Sequence, residues 1–489
     1  MLLSPSFFLL PAFLFATLTS GYSHHRRHSL RSPPRSTRPL PARSSLFQPS
    51  SSKVALSRLS TRNERNSHLH PQVLLQMHIN RSVRRHARMT KREVPTEAVL
   101  RKALVKRWEG VNQGVGDEVG NSRKEKRQRE GKAMAGIGGL NSAASFKGKK
   151  GKGGAGGAGD GGNSTTTTGS GPGFSQKDFD ASQSNSVEPA QTPTANSTIG
   201  LNIEANDVGY FATIQLGTPP ANFKILMDSG SADGTGNVAG TIIQDDVLIA
   251  GLPIAGHSFG VTTSESSDFS DSSVPFDGLM GLAQSMLSEQ GVLTPIESLA
   301  QTGAVPAQLG FHLARLSDGT NDGEVTFGGV DATKFNGSLT EFPNVNTQGF
   351  WEGAMGDVTV DGTALGLSGR TAILDTGTTL IVAPAADAAA VHAAIPGSAS
   401  DGQGGFTIPC TSTASVALSF GGKSFAINAS DLTFLPTTNN LQGDCVSGIS
   451  SGSVGGANEW LVGDVFLKNV YFATSVESNT IGLAPSLEG

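Results

Sequence analysis

From Ile203 onward the sequence predicts an all-β protein, and three observations carry that prediction. Short alternating runs of apolar and polar residues are separated by Gly, Asp, Asn and Ser turns, the period-two pattern of half-buried strands. Credible helices are few, near Ile296 to Gln301 and Pro384 to Ala394. One short design also occurs twice, in Ile225-Leu226-Met227-Asp228-Ser229-Gly230-Ser231 and in Ala372-Ile373-Leu374-Asp375-Thr376-Gly377-Thr378-Thr379. In each, an apolar triplet that reads as a buried strand runs into an Asp, a small hydroxyl residue and a Gly. A carboxylate carried on a buried strand must be paired or hydrogen-bonded. A chain that builds this feature twice is expected to bring the two carboxylates together.

The tripeptide is short enough to arise by chance, so its surroundings decide. Before Asp228 lies Tyr210-Phe211-Ala212-Thr213-Ile214-Gln215-Leu216, an alternating strand closed by the Gly217-Thr218-Pro219-Pro220 turn. After each Asp comes an apolar pair ending in Gly: Leu279-Met280-Gly281 after the first, Leu461-Val462-Gly463-Asp464 after the second. In this order of parts the stretch from about Asn206 to Pro485 resembles the pepsin-like aspartic endopeptidases of the fungal secreted type. The matching parts include Phe276-Asp277-Gly278-Leu279-Met280-Gly281-Leu282 and the closing Gly463-Asp464-Val465-Phe466-Leu467.

The resemblance implies an all-β bilobal fold with one catalytic Asp from each lobe, an N-terminal lobe over 203–340 and a C-terminal lobe over 341–489. It implies peptide-bond hydrolysis by a water that Asp228 and Asp375 activate, with no cofactor. Two carboxylates a few ångströms apart cannot both ionise easily, so the pair keeps one proton into the weakly acidic range. Ser229 and Thr376 are expected to lock the two loops together through their hydroxyls. Gly230 and Gly377 let backbone N–H groups approach the carboxylates, and Ser231 and Thr378 are expected to donate to them.

One departure from the family stands out. Asp233 is followed at once by Gly234-Thr235-Gly236-Asn237-Val238-Ala239-Gly240-Thr241-Ile242, the far strand of the family's substrate-covering flap. The near flap strand, a Trp-containing stretch and the Tyr at the flap tip are missing, which leaves Gly234, Thr235 and Gly236 as a remnant. The N-terminal lobe is therefore expected to be incomplete, and the remaining flap strand to lack its hydrogen-bond partner. The dyad is expected to stand open to water, with activity of this sequence weak or absent.

The ends of the chain point to secretion. Met1 to about Ser23 is uncharged and apolar through Phe7-Phe8-Leu9-Leu10 and Phe13-Leu14-Phe15, with small residues at Thr17 to Ser20. It reads as a signal peptide over 1–23; a short membrane anchor is the alternative, although Pro11 breaks the run. Residues 22–152 hold 30 Lys/Arg against 8 Asp/Glu, while residues 153–489 hold 7 against 33. Such a basic arm suits nucleic acid or an anionic membrane, but a secretion signal and an acidic body in cis favour a pro-segment, largely disordered, over 24–147. Weak helical patterning is confined to Thr96 to Trp108. A Gly/Ser/Thr-rich linker over 148–202 reads as a flexible tether. Carboxylates of the body paired with arm cations are expected to release the arm as pH falls through their depressed pKa values.

The two cysteines, Cys410 and Cys445, are most simply one disulfide in a secreted chain, with two free buried thiols as the alternative. Sequons at Asn163, Asn196, Asn336 and Asn428 fit a glycosylated surface. The expected partners are peptide or protein substrates and the chain's own basic segment; the chain is expected to act as a monomer, with no nucleic acid and no stable membrane span. No H-E-x-x-H or Cys/His cluster suggests a metal. Two other functions compete. Gly256-His257-Ser258-Phe259-Gly260 and Gly448-Ile449-Ser450-Ser451-Gly452 fit the G-x-S-x-G of a serine esterase, with His392 as the base for Ser258. A non-catalytic secreted binding protein on the pepsin-like scaffold is the stronger rival.

Overall fold

A computed structural model describes residues 70–89, 93, 95–114, 174–184, 186–230, 238–265, 274–288, 290–452 and 456–487, all within one compact unit, Pro49–Gly489. The expected signal peptide, Ser231 and the flap remnant Gly234, Thr235 and Gly236 lie outside the described residues.

The first sheet runs β1 (Val187–Glu188), β3 (Asn202–Glu204), β4 (Gly209–Leu216), β5 (Ala221–Asp228), β8 (Gly278–Gly281). A hairpin of β6 (Val238–Ile249) and β7 (Leu252–Glu265) joins it through β4. The second lobe repeats the plan in an eight-stranded sheet. Its centre is β12 (Glu352–Val360), β14 (Arg370–Leu374), β23 (Glu459–Val462), β15 (Ile381–Ala383) and β22 (Ile449–Ser451). Its other edge is β18 (Val416–Phe420) and β19 (Lys423–Ile427), with β13 (Thr363–Ala364) beside β12.

A six-stranded sheet joins the lobes. It takes β2 (Thr198–Gly200), β9 (Gln308–His312) and β10 (Glu324–Phe327) from the first lobe, then β24 (Val470–Ser475), β25 (Thr480–Pro485) and β11 (Thr340–Pro343). Phe472 of β24 sits opposite Phe311 of β9, and their rings stack at 5.5 Å. The expected parting of the lobes near Glu341 thus falls inside β11. The fold is all-β and pepsin-like, as the sequence predicts, and the two expected helices are present as α4 (Pro295–Gln301) and α5 (Ala385–Ala393).

A small fourth sheet, β16 (Ala399–Ser400), β17 (Phe406–Pro409), β21 (Asp444–Ser447) and β20 (Thr433–Pro436), carries the Cys410–Cys445 disulfide. The bond closes a 35-residue separation, which in the chain-entropy account stabilises by about 3–4 kcal/mol. Replacing both cysteines by Ala is expected to lower the denaturant midpoint by that amount of stability. An unchanged midpoint means that the unfolded loop is restricted by something else.

Three expectations gain detail or need correction. Within 24–147, most of which lies outside the described residues, the patterning expected at Thr96 to Trp108 is part of α2 (Glu97–Gly114), and a helix that the sequence did not indicate, α1 (Pro71–Met89), precedes it. Their polar average hides narrow apolar stripes, and α1 buries Val73, Leu75 and Ile79 while α2 buries Leu100. The linker is also folded at its end. There Ser175 and Asp178 exchange hydrogen bonds in a capping arrangement at α3 (Gln176–Ser184), and β1 and β2 join sheets. Lastly, β6 is not unpartnered: β7 pairs it from Val238↔Glu265 to Ile249↔Leu252. Among the described residues β6 pairs with β4 only at Val247 and Leu248. Its outer half leaves Val238 55% and Ile242 40% exposed.

Candidate active site

Each candidate aspartate ends a central strand with the same two neighbours. Strand β5 lies antiparallel to β4 and parallel to β8, and Asp228 sits opposite Gly281. Strand β14 lies antiparallel to β12 and parallel to β23, and Leu374 sits opposite Val462. The two apolar-pair-plus-Gly segments after the aspartates are thus the parallel neighbours of the strands that carry them. Backbone bonds finish the docking: Leu282 N–H donates to the Asp228 carbonyl at 2.6 Å, and Asp375 N–H donates to the Val462 carbonyl at 3.0 Å. Gly463 is required here, because a Cβ on it would lie 1.9 Å from the Thr378 carbonyl oxygen.

The two loops grip each other reciprocally. Thr376 Oγ1 accepts from Ser229 N–H at 2.9 Å and donates to the Met227 carbonyl at 2.8 Å. Ser229 Oγ accepts from Thr376 N–H at 2.9 Å and donates to the Leu374 carbonyl at 3.2 Å. Each hydroxyl therefore holds the residue just before the other lobe's aspartate. Asp228, Ser229 and Asp375 are fully buried, so these four bonds are shielded from competition with water.

Within each loop the carboxylate is oriented the same way. Gly230 N–H donates to Asp228 Oδ1 at 2.9 Å, and Gly377 N–H donates to Asp375 Oδ1 at 3.0 Å. Thr378 Oγ1 donates to Asp375 Oδ2 at 2.7 Å. Ser231, the counterpart of Thr378, lies outside the described residues.

A buried charge cluster that sequence reading missed joins residues of the two lobes. Lys468, just past α6 (Asp464–Leu467), contacts Asp207 Oδ2 at 2.9 Å and Asp431 Oδ1 at 2.8 Å. Arg315 Nε reaches Asp431 Oδ2 at 2.9 Å. All four side chains are buried, and they clasp the first lobe to the second. Burial alone would raise the Asp431 pKa, but Lys468 and Arg315 hold it below the usual carboxylate value. The signal in the sequence was faint, because Lys468 is a single cation after the quoted Gly463 to Leu467 run.

The esterase constellations do not assemble. Ser258 lies in the middle of β7, where its hydroxyl accepts from Gln244 Nε2, and Ser450 donates to the Ile381 carbonyl. His392 is buried instead against Ser447 at 2.8 Å and stacked on Phe406. Among the described residues, no group of three or more His, Cys, Asp or Glu is placed to hold a metal ion. No described helix is long and apolar enough to cross a membrane.

A two-lobed β protein that joins an Asp-hydroxyl-Gly turn from each lobe defines the class of paired-aspartate sites. The profile of the family described as eukaryotic aspartyl protease matches residues 234–486, slightly more than half of the chain. The chain is 33% identical over 337 residues to the probable aspartic-type endopeptidase CTSD of Trichophyton verrucosum, covering 60% of this chain and 64% of that protein. It is 31% identical to rhizopuspepsin of Rhizopus chinensis, covering 59% and 81%, and 30% identical to pepsin-2B of Gadus morhua, covering 57% and 97%. The chain belongs to the eukaryotic aspartyl protease family. It spans just under two thirds of the length of the Trichophyton relative.

Proposed function

We propose that the chain is the precursor of a secreted aspartic endopeptidase that cleaves peptide bonds through an Asp228–Asp375 dyad. The observation that carries this reading is the reciprocal exchange of hydroxyls between Ser229 and Thr376, which brings the two aspartate loops together. The ionised member takes a proton from a water held between the carboxylates, and that water attacks the substrate carbonyl carbon. The protonated member donates to the carbonyl oxygen. The resulting tetrahedral intermediate collapses as the leaving nitrogen is protonated, and no covalent bond to the enzyme forms. Both motifs lie in one chain, which supports action as a monomer.

Helices α1 and α2 serve as the pro-segment in this reading. Arg107 of α2, 1% exposed, meets Asp401 Oδ2 at 3.0 Å and donates to the Gln403 carbonyl at 2.9 Å. On α1, His78 stands edge-on to Phe434 at 5.4 Å. Burial, then the Arg81 charge, pushes the His78 pKa down to about 4. Its contribution to docking is therefore present above 6.5 and is lost as pH falls from 6.5 through about 4. Glu204 of β3 acts the other way. Burial outweighs Arg81 and pushes it up to about 7, so its contribution is present below 4.5 and fades as pH rises through 7. The acid release expected from the sequence through carboxylates rests at this contact on a histidine. Protection of the α1 amides, relative to the intrinsic exchange rate at each pH, is expected to fall between about pH 6.5 and 4, and His78→Phe, which keeps the ring contact, is expected to flatten that fall. A fall that persists in His78→Phe refutes the assignment.

Incompleteness of the N-terminal lobe belongs to the same proposal. It is supported by the exposed outer half of the β6–β7 hairpin. The Trichophyton alignment supports it too, since its 337 positions draw on only 60% of the 489 residues here and so pass over a gap in this chain. This favours weak activity and keeps the non-catalytic binding protein as the second reading. Digestion of an unfolded protein at about pH 4, blocked by pepstatin, is the expected result. If the purified chain cleaves nothing even after the basic arm is removed, the binding reading replaces the enzyme.

A further inference from the structure

A second connection between the aspartate loops runs through a tryptophan that touches neither carboxylate. Trp351 is 1% exposed and lies between Asn344 to Gly349 and β12, in the second lobe. Its indole Nε1–H donates across the lobe boundary to the Leu282 carbonyl at 3.2 Å. The Leu282 N–H in turn donates to the Asp228 carbonyl at 2.6 Å. At the other end, the Trp351 carbonyl accepts from the N–H of Leu374, the residue before Asp375, at 2.9 Å. A continuous series of hydrogen bonds thus leads from the backbone of one aspartate to the residue before the other. A neighbouring bond, Gln284 N–H to the Gly349 carbonyl at 3.0 Å, ties the same two segments.

We infer that Trp351 is a positioning residue that sets the separation of Asp228 and Asp375 from behind; its catalytic consequence rests on the peptidase reading above. The Ser229–Thr376 exchange fixes the two turns and the residues just before the aspartates, Met227 and Leu374, but it does not reach Leu282, at the end of the parallel neighbour of β5. Trp351 ties that neighbour across the seam, because its indole holds Leu282 of the first lobe while its backbone carbonyl holds Leu374 of the second. Leu282 is fully buried. Loss of the indole donor therefore exposes its carbonyl to no water that would replace the bond, and the seam has to move to find another partner.

The test uses the full chain with Trp351→Phe, which keeps an aromatic ring and removes the N–H. Trp460→Phe is the matched control: its buried indole donates to Asp387 Oδ2 at 3.0 Å, away from the seam. Hydrogen exchange is read over 226–230 and 279–284, together with kcat, KM and the pH–rate profile. Trp351→Phe is expected to quicken exchange in both segments and to lower kcat by about tenfold to a hundredfold with little change in KM. The two limbs of its pH–rate profile are expected to draw together, because two acids that interact less titrate closer together. Trp460→Phe is expected to do neither. If exchange in Trp351→Phe matches the unsubstituted chain, or if both variants shift it alike, the inference falls. Should the Phe variant fail to fold, benzothienylalanine at position 351 removes the N–H while keeping the ring shape. If the unsubstituted chain cleaves nothing, the peptidase reading fails, and the exchange measurement still decides whether Trp351 braces the seam.

Discussion

Asp375→Asn is expected to abolish whatever peptide cleavage the chain performs at acid pH, by about 10⁴-fold or more, and to leave the fold intact. An amide fills the same space as the carboxyl. Its oxygen can still accept from Gly377 N–H, which holds Asp375 Oδ1 at 3.0 Å, and its NH2 can donate to Thr378 Oγ1, which lies 2.7 Å from Asp375 Oδ2 and turns from donor to acceptor. It can neither take a proton from water nor return one to the substrate, so the chemistry is lost while the architecture stays. Asp228→Asn should behave alike, and the double variant should be no worse than either single one, because the two groups act as a unit. The measurement is cleavage rate alongside a thermal melt. A variant that keeps a tenth of the activity would remove the dyad from the mechanism.

The second large effect is on stability. Lys468→Met is expected to destabilise the folded chain by about 3–5 kcal/mol, the usual penalty for stranding buried opposite charges. Asp207 and Asp431 both face its ammonium at 2.9 and 2.8 Å; after the substitution Asp431 keeps Arg315, while Asp207 keeps the N–H of Leu316 at 2.9 Å. The effect should depend on pH in a defined direction. With the Asp431 pKa held below its ordinary value of 3.8, the clasp contributes fully above that value and is lost as pH falls through the depressed one. The difference in denaturation midpoint between the variant and the parent should therefore be large near neutrality and shrink in strong acid. A midpoint within experimental scatter of the parent's at neutral pH would show that the two lobes are held by the six-stranded sheet alone.

Much of the site was legible because its signal is local. An apolar triplet, Asp, hydroxyl and Gly follow one another within a few residues, and each element's role follows from strand burial and turn chemistry. The helices at Pro295–Gln301 and Ala385–Ala393 were legible for the same reason. In the basic arm the patterning of α2 was legible and α1 was not. The arm's composition is that of a segment unable to form a core, and α1 forms because it borrows one: Leu75 and Ile79 join a hydrophobic cluster that takes residues from both lobes. The folded end of the linker was hidden likewise, since β2 exists only as the partner of β10. The partner of β6 was misjudged because the sequence was read for the strand expected before it, and does not show that the next strand, β7, follows it along its whole length.

The sequence by itself determined the class of fold, the two aspartates and the residue types that surround them, because alternation, turn chemistry and the repeated motif are written in neighbouring residues. The family resemblance implied the locking of the two loops by Ser229 and Thr376; only the tertiary structure decided that Lys468 closes a buried clasp and that Trp351 spans the seam. These last two pairs stand 261 and 69 residues apart along the chain. Contacts over such separations arise from packing, and no local pattern encodes them.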